Sequence, residues 1–207
     1  MPELPATMFH FADAANAASI LQHGLLSTTG LLHRRGVDAP IAAAAMTFRP
    51  SDIELPGGER VRNQAPMPPA ALARCLDPGT SPDDWYRLVN GHVFFWLGAE
   101  RMERHRVALR ARDQILLTVD TAALLAFYHD SAFVTPFNIG NARRTPARRG
   151  PRTLCPLVSW RQHSWMLEAA AGERPRPASH RPAELLIKGA VPDVHRFIVK
   201  SEYIAAW

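Results

Sequence analysis

The feature that most constrains this chain is the placing of its short β-forming runs. Apolar, β-rich segments recur at residues 8–11, 92–97, 114–119, 133–135, 183–187 and 196–200, separated by stretches of unequal length and kind. A doubly wound parallel sheet needs strands and helices in regular alternation, and that alternation is missing, so the expectation is an α+β fold. The chain of 207 residues shows no repeat and no linker, and reads as one domain over residues 1–207. No window approaches the ~18 uninterrupted apolar residues of a membrane helix. The start, Met1-Pro2-Glu3-Leu4-Pro5, lacks the basic and apolar segments of a signal peptide, so a cytoplasmic protein with no membrane partner is expected.

Helix signals are uneven. Asp13 is a candidate N-cap for a helix over 14–23, with Ala17, Ile20 and Leu21 in helical spacing and Gly24 as the stop. Ser81-Pro82-Asp83-Asp84 is the strongest start, with Ser to cap, Pro at the first position and an acid at the third. A charged helix is expected over 98–112, and Asp120-Thr121 opens a short Ala/Leu helix. Residues 25–50 carry an Ala-rich run and no clean period, Gly57-Gly58 marks a turn, and Pro66, Pro68 and Pro69 predict irregular chain. Residues 153–160 read as a strand. The Arg- and Pro-rich stretches 142–152 and 171–182 read as exposed loops.

The charge is carried almost wholly by arginine: of 24 basic residues only Lys188 and Lys200 are lysines, and the formal net charge is +5. Genomic base composition produces such a bias without functional meaning, while the bidentate guanidinium also suits a polyanionic ligand. Cys75 and Cys155 are isolated, without zinc spacing, and read as ordinary buried thiols. The signatures of P-loop, dinucleotide-binding, serine hydrolase and zincin proteins are absent. What remains is polar residues inside apolar strands. His10 lies between Phe9 and Phe11, and Glu184 opens the run Glu184-Leu185-Leu186-Ile187. Taken alone, His10 is either a satisfied structural ring or a functional residue, and Glu184 either an edge residue facing solvent or a functional acid.

The stretch Phe9-His10-Phe11-Ala12-Asp13-Ala14-Ala15-Asn16, followed by Ile20-Leu21 and Gly24-Leu25-Leu26-Ser27, resembles the opening of the DarT-type ADP-ribosyltransferases, with Ala12 where that family usually has Thr. The run 92–97 resembles their aromatic strand, and residues 183–187 followed by Val191-Pro192 resemble the segment with their catalytic glutamate. The pattern is closer still to a bacterial group related to DarT in which Arg62-x-Gln64-x-Pro66, Asp84-Trp85-Tyr86 and Phe94-Phe95-Trp96 recur.

The resemblance implies a split β-sandwich with flanking helices that binds NAD as co-substrate in a cleft between two small sheets, without a metal. It implies Glu184 as the catalytic carboxylate and Arg62, with Arg49 as second choice, as the arginine that holds the pyrophosphate or assists transfer. His10 would anchor the adenosine-side ribose. Phe11, Ala12, Asn16, Gly24, Leu25 and Gln64 would complete the NAD site. Of Phe95 and Trp96, only one can face the cleft in a regular strand. Tyr86 either lines the pocket with Trp85 and Asn90 or packs in the core, and Asn138 either binds substrate or makes an Asx turn. Arg143, Arg144, Arg148 and Arg149 would meet a phosphate backbone, single-stranded DNA first and RNA second. An antitoxin protein as partner stays open, as do a non-catalytic NAD-binding module, an NAD hydrolase and an RNA 2′-phosphotransferase.

Overall fold

In the computed structural model, which describes residues 3–143, 147–166, 168 and 174–207, all six expected β-forming segments enter one seven-stranded antiparallel sheet. The chain runs β1 (Thr7–Asp13), α1 (Ala17–His23), β2 (Leu25–Leu26), α2 (Thr28–Arg35), α3 (Ala39–Met46), β3 (Ile53–Glu54) and β4 (Arg60–Val61). It continues through α4 (Pro69–Ala73), α5 (Pro82–Asn90), β5 (His92–Trp96), α6 (Ala99–Ala108), β6 (Gln114–Asp120), α7 (Thr121–Tyr128) and β7 (Ala132–Thr135). Last come β8 (Cys155–Pro156), α8 (Leu157–His163), β9 (Glu184–Lys188), β10 (Ala190–Val191) and β11 (Ile198–Ile204). The fold is α+β, as expected.

The sheet order is β11-β6-β1-β5-β9-β7-β8. Its weak point is central. The β1–β6 ladder has seven register pairs and the β5–β9 ladder five, but β1 meets β5 only at Phe9↔Trp96, so the two halves of the sheet diverge from there. The imidazole of His10 fills the first gap, with Nδ1 2.7 Å from the Phe94 carbonyl.

Both faces of the β5–β9–β7 half are covered. Val93, Phe95, Leu185, Ile187 and Val134 join Met8, Leu117, Leu124 and Trp160 in the main core, while Phe94, Leu186 and Phe133 pack on the other face against Leu72, Trp85 and Tyr86 of α4 and α5. Covering on both sides explains why β9 reads as a continuous apolar run rather than an alternating one.

Capping fixes several helix starts. Asp120 accepts from Ala123 N at the start of α7, as its position predicts. Asp13, accepting from Ala15 N, caps a 3-10 turn over Ala14–Asn16 instead, and the α-helix expected from 14 begins only at Ala17. At α5 Ser81 Oγ accepts from Asp84 N at 3.1 Å while the Asp84 carboxylate accepts from Ser81 N at 3.0 Å, a reciprocal box. Ser81→Ala is expected to cost about 1 kcal/mol in urea unfolding, and Ser81→Asp to recover most of it.

Four expectations are corrected. Residues 25–50 hold β2, α2 and α3; the overlooked signals are Ser27, whose side chain accepts from Gly30 N, Gly36 in the left-handed region at φ 55°, and Pro40 in the first turn of α3. The proline-rich stretch contains α4, which starts on Pro69. Residues 153–160 are mostly helical: the strand is only Cys155–Pro156, and Pro156, which cannot donate to a ladder, is followed at once by α8. The segment 142–152 is not wholly exposed, because Ala142 and Arg149 are buried.

Candidate functional site

The diverging seam between β1 and β5 opens into a cleft of about 800 Å³. Its walls come from β1, the α1–β2 corner, β4 and the residues after it, β5, α6, the loop after β7 and the start of β9. His10, Phe11, Ala12, Asn16, Gly24, Leu25, Arg49, Arg62, Gln64, Phe95, Trp96, Asn138 and Glu184 all line it, so residues far apart in sequence share one cavity.

Glu184 stands at the start of β9, opposite Trp96 on one side and Thr135 on the other, with 4% of its surface exposed. Its Oε2 accepts from Ile139 N at 3.0 Å and lies 3.0 Å from Thr135 Oγ1, which is also 3.0 Å from the Phe137 carbonyl. The threonine has one proton for these two acceptors. A carboxylate takes it, while a protonated Glu184 can donate to Oγ1 and release the threonine proton to Phe137 O, so both charge states are satisfied. Burial pushes the carboxyl up to about 7, against the lowering effect of these hydrogen bonds and of the Arg101 and Arg149 charges.

His10 is held near pH 7 as a neutral ring, burial bringing its pKa down to about 4 despite the bond to Phe94 O. A carbonyl can only accept, so Nδ1 carries the proton and Nε2 is left as an acceptor. On β5, strand alternation settles the aromatic pair: Trp96 is half-buried at the cleft, whereas Phe95 is fully buried in the main core and borders the cleft where its ring lies 5.6 Å from His10.

Several neighbours hold backbone. Asn16 Oδ1 accepts from Arg60 N at 2.7 Å and its Nδ2 donates to Arg60 O at 3.0 Å, which ties β4 to the end of β1. The buried Arg49 donates from Nε to Arg62 O at 3.0 Å, from Nη2 to Asn90 Oδ1 at 3.1 Å, and from Nη1 to Ala45 O. With its amide donating to Thr47 O, Gln64 offers its oxygen to the same guanidinium at 3.2 Å. Burial takes Arg49 down to about 10. Arg49 is therefore a clamp on the chain just after β4, where Arg62 sits. Gly24, at φ 71°, turns the chain where a Cβ would lie 2.3 Å from Val191 O, so the approach of β10 requires glycine there.

The expected charged helix over 98–112 is α6, but its place at the cleft is not foreseen in the sequence. From α6 and the residue after it, Arg101, Arg104, His105, Ala108 and Leu109 face the cleft at helical spacing, a stripe begun by basic rather than apolar residues. His105 lies between the rings of Phe11 (5.4 Å) and Trp96 (5.1 Å), and its Nε2 is 3.3 Å from Arg62 Nη1. Burial, then the charges of Arg62 and His10, lower its pKa to about 3. Asp13 and Asp52 are engaged by Arg60 and Arg112, Glu59 by Arg35, and Arg104 pairs with Glu100. Of the described arginines that line the cleft, this leaves Arg62 and Arg101, and Arg49 bound to carbonyls and Asn90, without a carboxylate at contact distance.

The expected acceptor residues divide. Asn138 lines the cleft and also makes the Asx turn, its Oδ1 accepting from Gly140 N at 2.8 Å. Tyr86 does not reach the cleft: it is fully buried and donates to Met67 O at 2.5 Å, because the apolar face of α5 turns to the core. Arg149 is likewise no surface residue; it is fully buried and donates to Asn141 O at 2.6 Å and Ala147 O at 2.7 Å. Arg143 and Arg148 are exposed, the latter 3.5 Å from Asp77. Arg144 lies outside the described residues. Among those described, no helix is long and apolar enough to cross a membrane, and no group of three or more His, Cys, Asp or Glu is placed to hold a metal.

Fold and cleft thus define an α+β protein whose antiparallel sheet parts to expose a buried acid beside aromatic and cationic residues. The chain belongs to a family described as a family of unknown function (DUF7002), whose model matches residues 6–198. No curated protein matches it. Among solved structures it is similar to DarTG of Thermosipho africanus in complex with ADP-ribose, at 10% identity and a TM-score of 0.45, over 95% of this chain. The chain spans 43% of that chain's length.

Proposed function

We propose that this protein is an NAD-dependent ADP-ribosyltransferase, with the parted sheet as a split β-sandwich and a nucleic acid, single-stranded DNA first, as acceptor. The observation that carries the reading is the Glu184 carboxyl, buried in the same cleft as Trp96, His10 and Arg62. The cleft is within the ~300–1,000 Å³ of small-molecule sites and combines an apolar aromatic wall, a neutral histidine acceptor and guanidinium groups lacking carboxylates, which fits a dinucleotide.

In this reading Trp96 offers its face to the nicotinamide, His10 Nε2 accepts from a ribose hydroxyl, and Arg62 with Arg101 meets the pyrophosphate. The reaction breaks the C1′–N bond of NAD, nicotinamide leaves with the bonding pair, and the acceptor atom forms a new bond to C1′ and loses a proton. Positive charge grows on the ribose in the transition state, and the Glu184 carboxylate stabilises it in a partly dry site.

The test is transfer of label from NAD marked on its adenosine side to single-stranded DNA, duplex DNA, RNA and cell protein. Label on nucleic acid supports the reading. Label on protein alone overturns the acceptor, nicotinamide release without transfer marks an NAD hydrolase, and NAD binding without turnover marks a binding module. If the exposed arginines guide a strand, replacing Arg143 and Arg148 together by Ala lowers the slope of log K against log salt by about 0.7 per lost phosphate contact. An unchanged slope removes the loop from the interface. Arg149→Ala is expected to lower the melting temperature instead, since it empties a buried site and strips two part-buried carbonyls of their donor.

A further inference from the structure

Arg62 is held at both ends. Its carbonyl accepts from Arg49 Nε at 3.0 Å, which fixes the backbone, and at the other end Nη1 lies 3.3 Å from His105 Nε2. A guanidinium can only donate, so His105 Nε2 must present its lone pair, with the ring proton on Nδ1. The imidazole has little freedom, because it sits against Phe11 at 61° and Trp96 at 45°. Among the described residues no carboxylate touches the Arg62 guanidinium. A carboxylate would aim the arginine equally well but would cancel its charge; a neutral imidazole aims it and leaves the charge in place.

We propose that His105 is the positioning residue for Arg62: wedged between Phe11 and Trp96, it holds the guanidinium over the cleft and keeps its charge available to a ligand's diphosphate. The ligand class rests on the NAD reading given above; the pairing does not. Because the same imidazole touches Trp96, the arginine and the aromatic wall are set by one side chain. The low pKa that burial gives His105 agrees with this, since the ring stays neutral across the working range.

The test uses the whole chain and ADP-ribose as probe. His105→Phe keeps the ring contacts and loses the acceptor; His105→Gln restores an acceptor near the Nε2 position. His105→Phe is expected to weaken ADP-ribose binding about tenfold, the scale of one hydrogen bond to a charged group, and His105→Gln to recover most of that. In an Arg62→Met background His105→Phe should add nothing. Equal losses for Phe and Gln, or a full tenfold loss on top of Arg62→Met, overturn the proposal. A second measurement needs no ligand: nitrogen-15 NMR of the His105 ring should show Nε2 bare in the wild type and a mixture of tautomers in Arg62→Met. A protonated Nε2 in the wild type overturns the pairing. If the wild type binds neither NAD nor ADP-ribose, the proposed function fails, while the NMR result still decides the role of His105.

Discussion

Glu184→Gln is expected to lower nicotinamide release and label transfer by roughly 10²- to 10³-fold, the scale of removing one preorganised electrostatic group, and to change NAD affinity far less. The substitution is chosen for what it preserves. The amide oxygen can still accept from Ile139 N and Thr135 Oγ1, so the strand end and the loop after β7 keep their tie. Only the charge is lost. With the carboxyl held up to about 7, the wild type should lose kcat/KM as pH falls through 7, because that ratio reports the free enzyme, and the variant's residual activity should be flat there. A cationic nicotinamide ring beside Glu184 favours the carboxylate, so the limb in kcat should lie at lower pH than the limb in kcat/KM. A folded Glu184→Gln protein that turns over at the wild-type rate would overturn the assignment.

How much was legible in the sequence divides by the range of the forces involved. The β-forming runs and the start of α5 were legible because adjacent residues suffice: Ser81 to Asp84 make their own hydrogen-bonded box, and residues 184–187 are buried on both faces. The helices α2 and α8 were not. Beyond the Ser27 and Gly36 ends of α2 their propensities are ordinary, and what holds them is Leu32 in one cluster and Trp160 in another. Arg149 reads as one more exposed cation among Arg, Gly and Pro, and its burial follows from a guanidinium contact with Cys75, 74 positions away. For the cleft, His10 and Glu184 stood out because a polar group in an apolar strand needs a partner. His105 did not stand out, because a histidine on a charged helix looks solvated until Phe11 and Trp96 are brought against it by the sheet.

Those buried rings also set the stability of the protein against pH, with opposing signs. The pKa values of His10 and His105 fall to about 4 and about 3, below the ordinary 6.5, so the unfolded chain binds more protons than the native one between those values and 6.5. Their contribution is fully present above 6.5 and is lost as pH falls, roughly 3 to 5 kcal/mol for each ring at ~1.4 kcal/mol per unit. Glu184 acts the other way. Its pKa is raised from 4.5 to about 7, so its contribution is present below 4.5 and is lost as pH rises through 7, roughly 3 kcal/mol in all. Between 4.5 and 6.5 His10 and His105 oppose one glutamate, and His92, also lowered by burial, adds to their side. The net slope is that of at least one proton, ~1.4 kcal/mol per pH unit. Stability should therefore peak between pH 6.5 and 7, be lower by at least about 2 kcal/mol at pH 5, and fall more steeply just below 4.5, where the histidines act unopposed. Urea unfolding at fixed temperature reads this directly. Glu184→Gln removes the opposing contribution, so its acid limb should be steeper than the wild type's by about one proton, ~1.4 kcal/mol per pH unit, between 4.5 and 6.5, and it should lose nothing between 6.5 and 8. His105→Phe should flatten the same limb. A wild type more stable at pH 5 than at pH 7, or a Glu184→Gln limb no steeper than the wild type's, would show that these groups do not titrate as their burial requires.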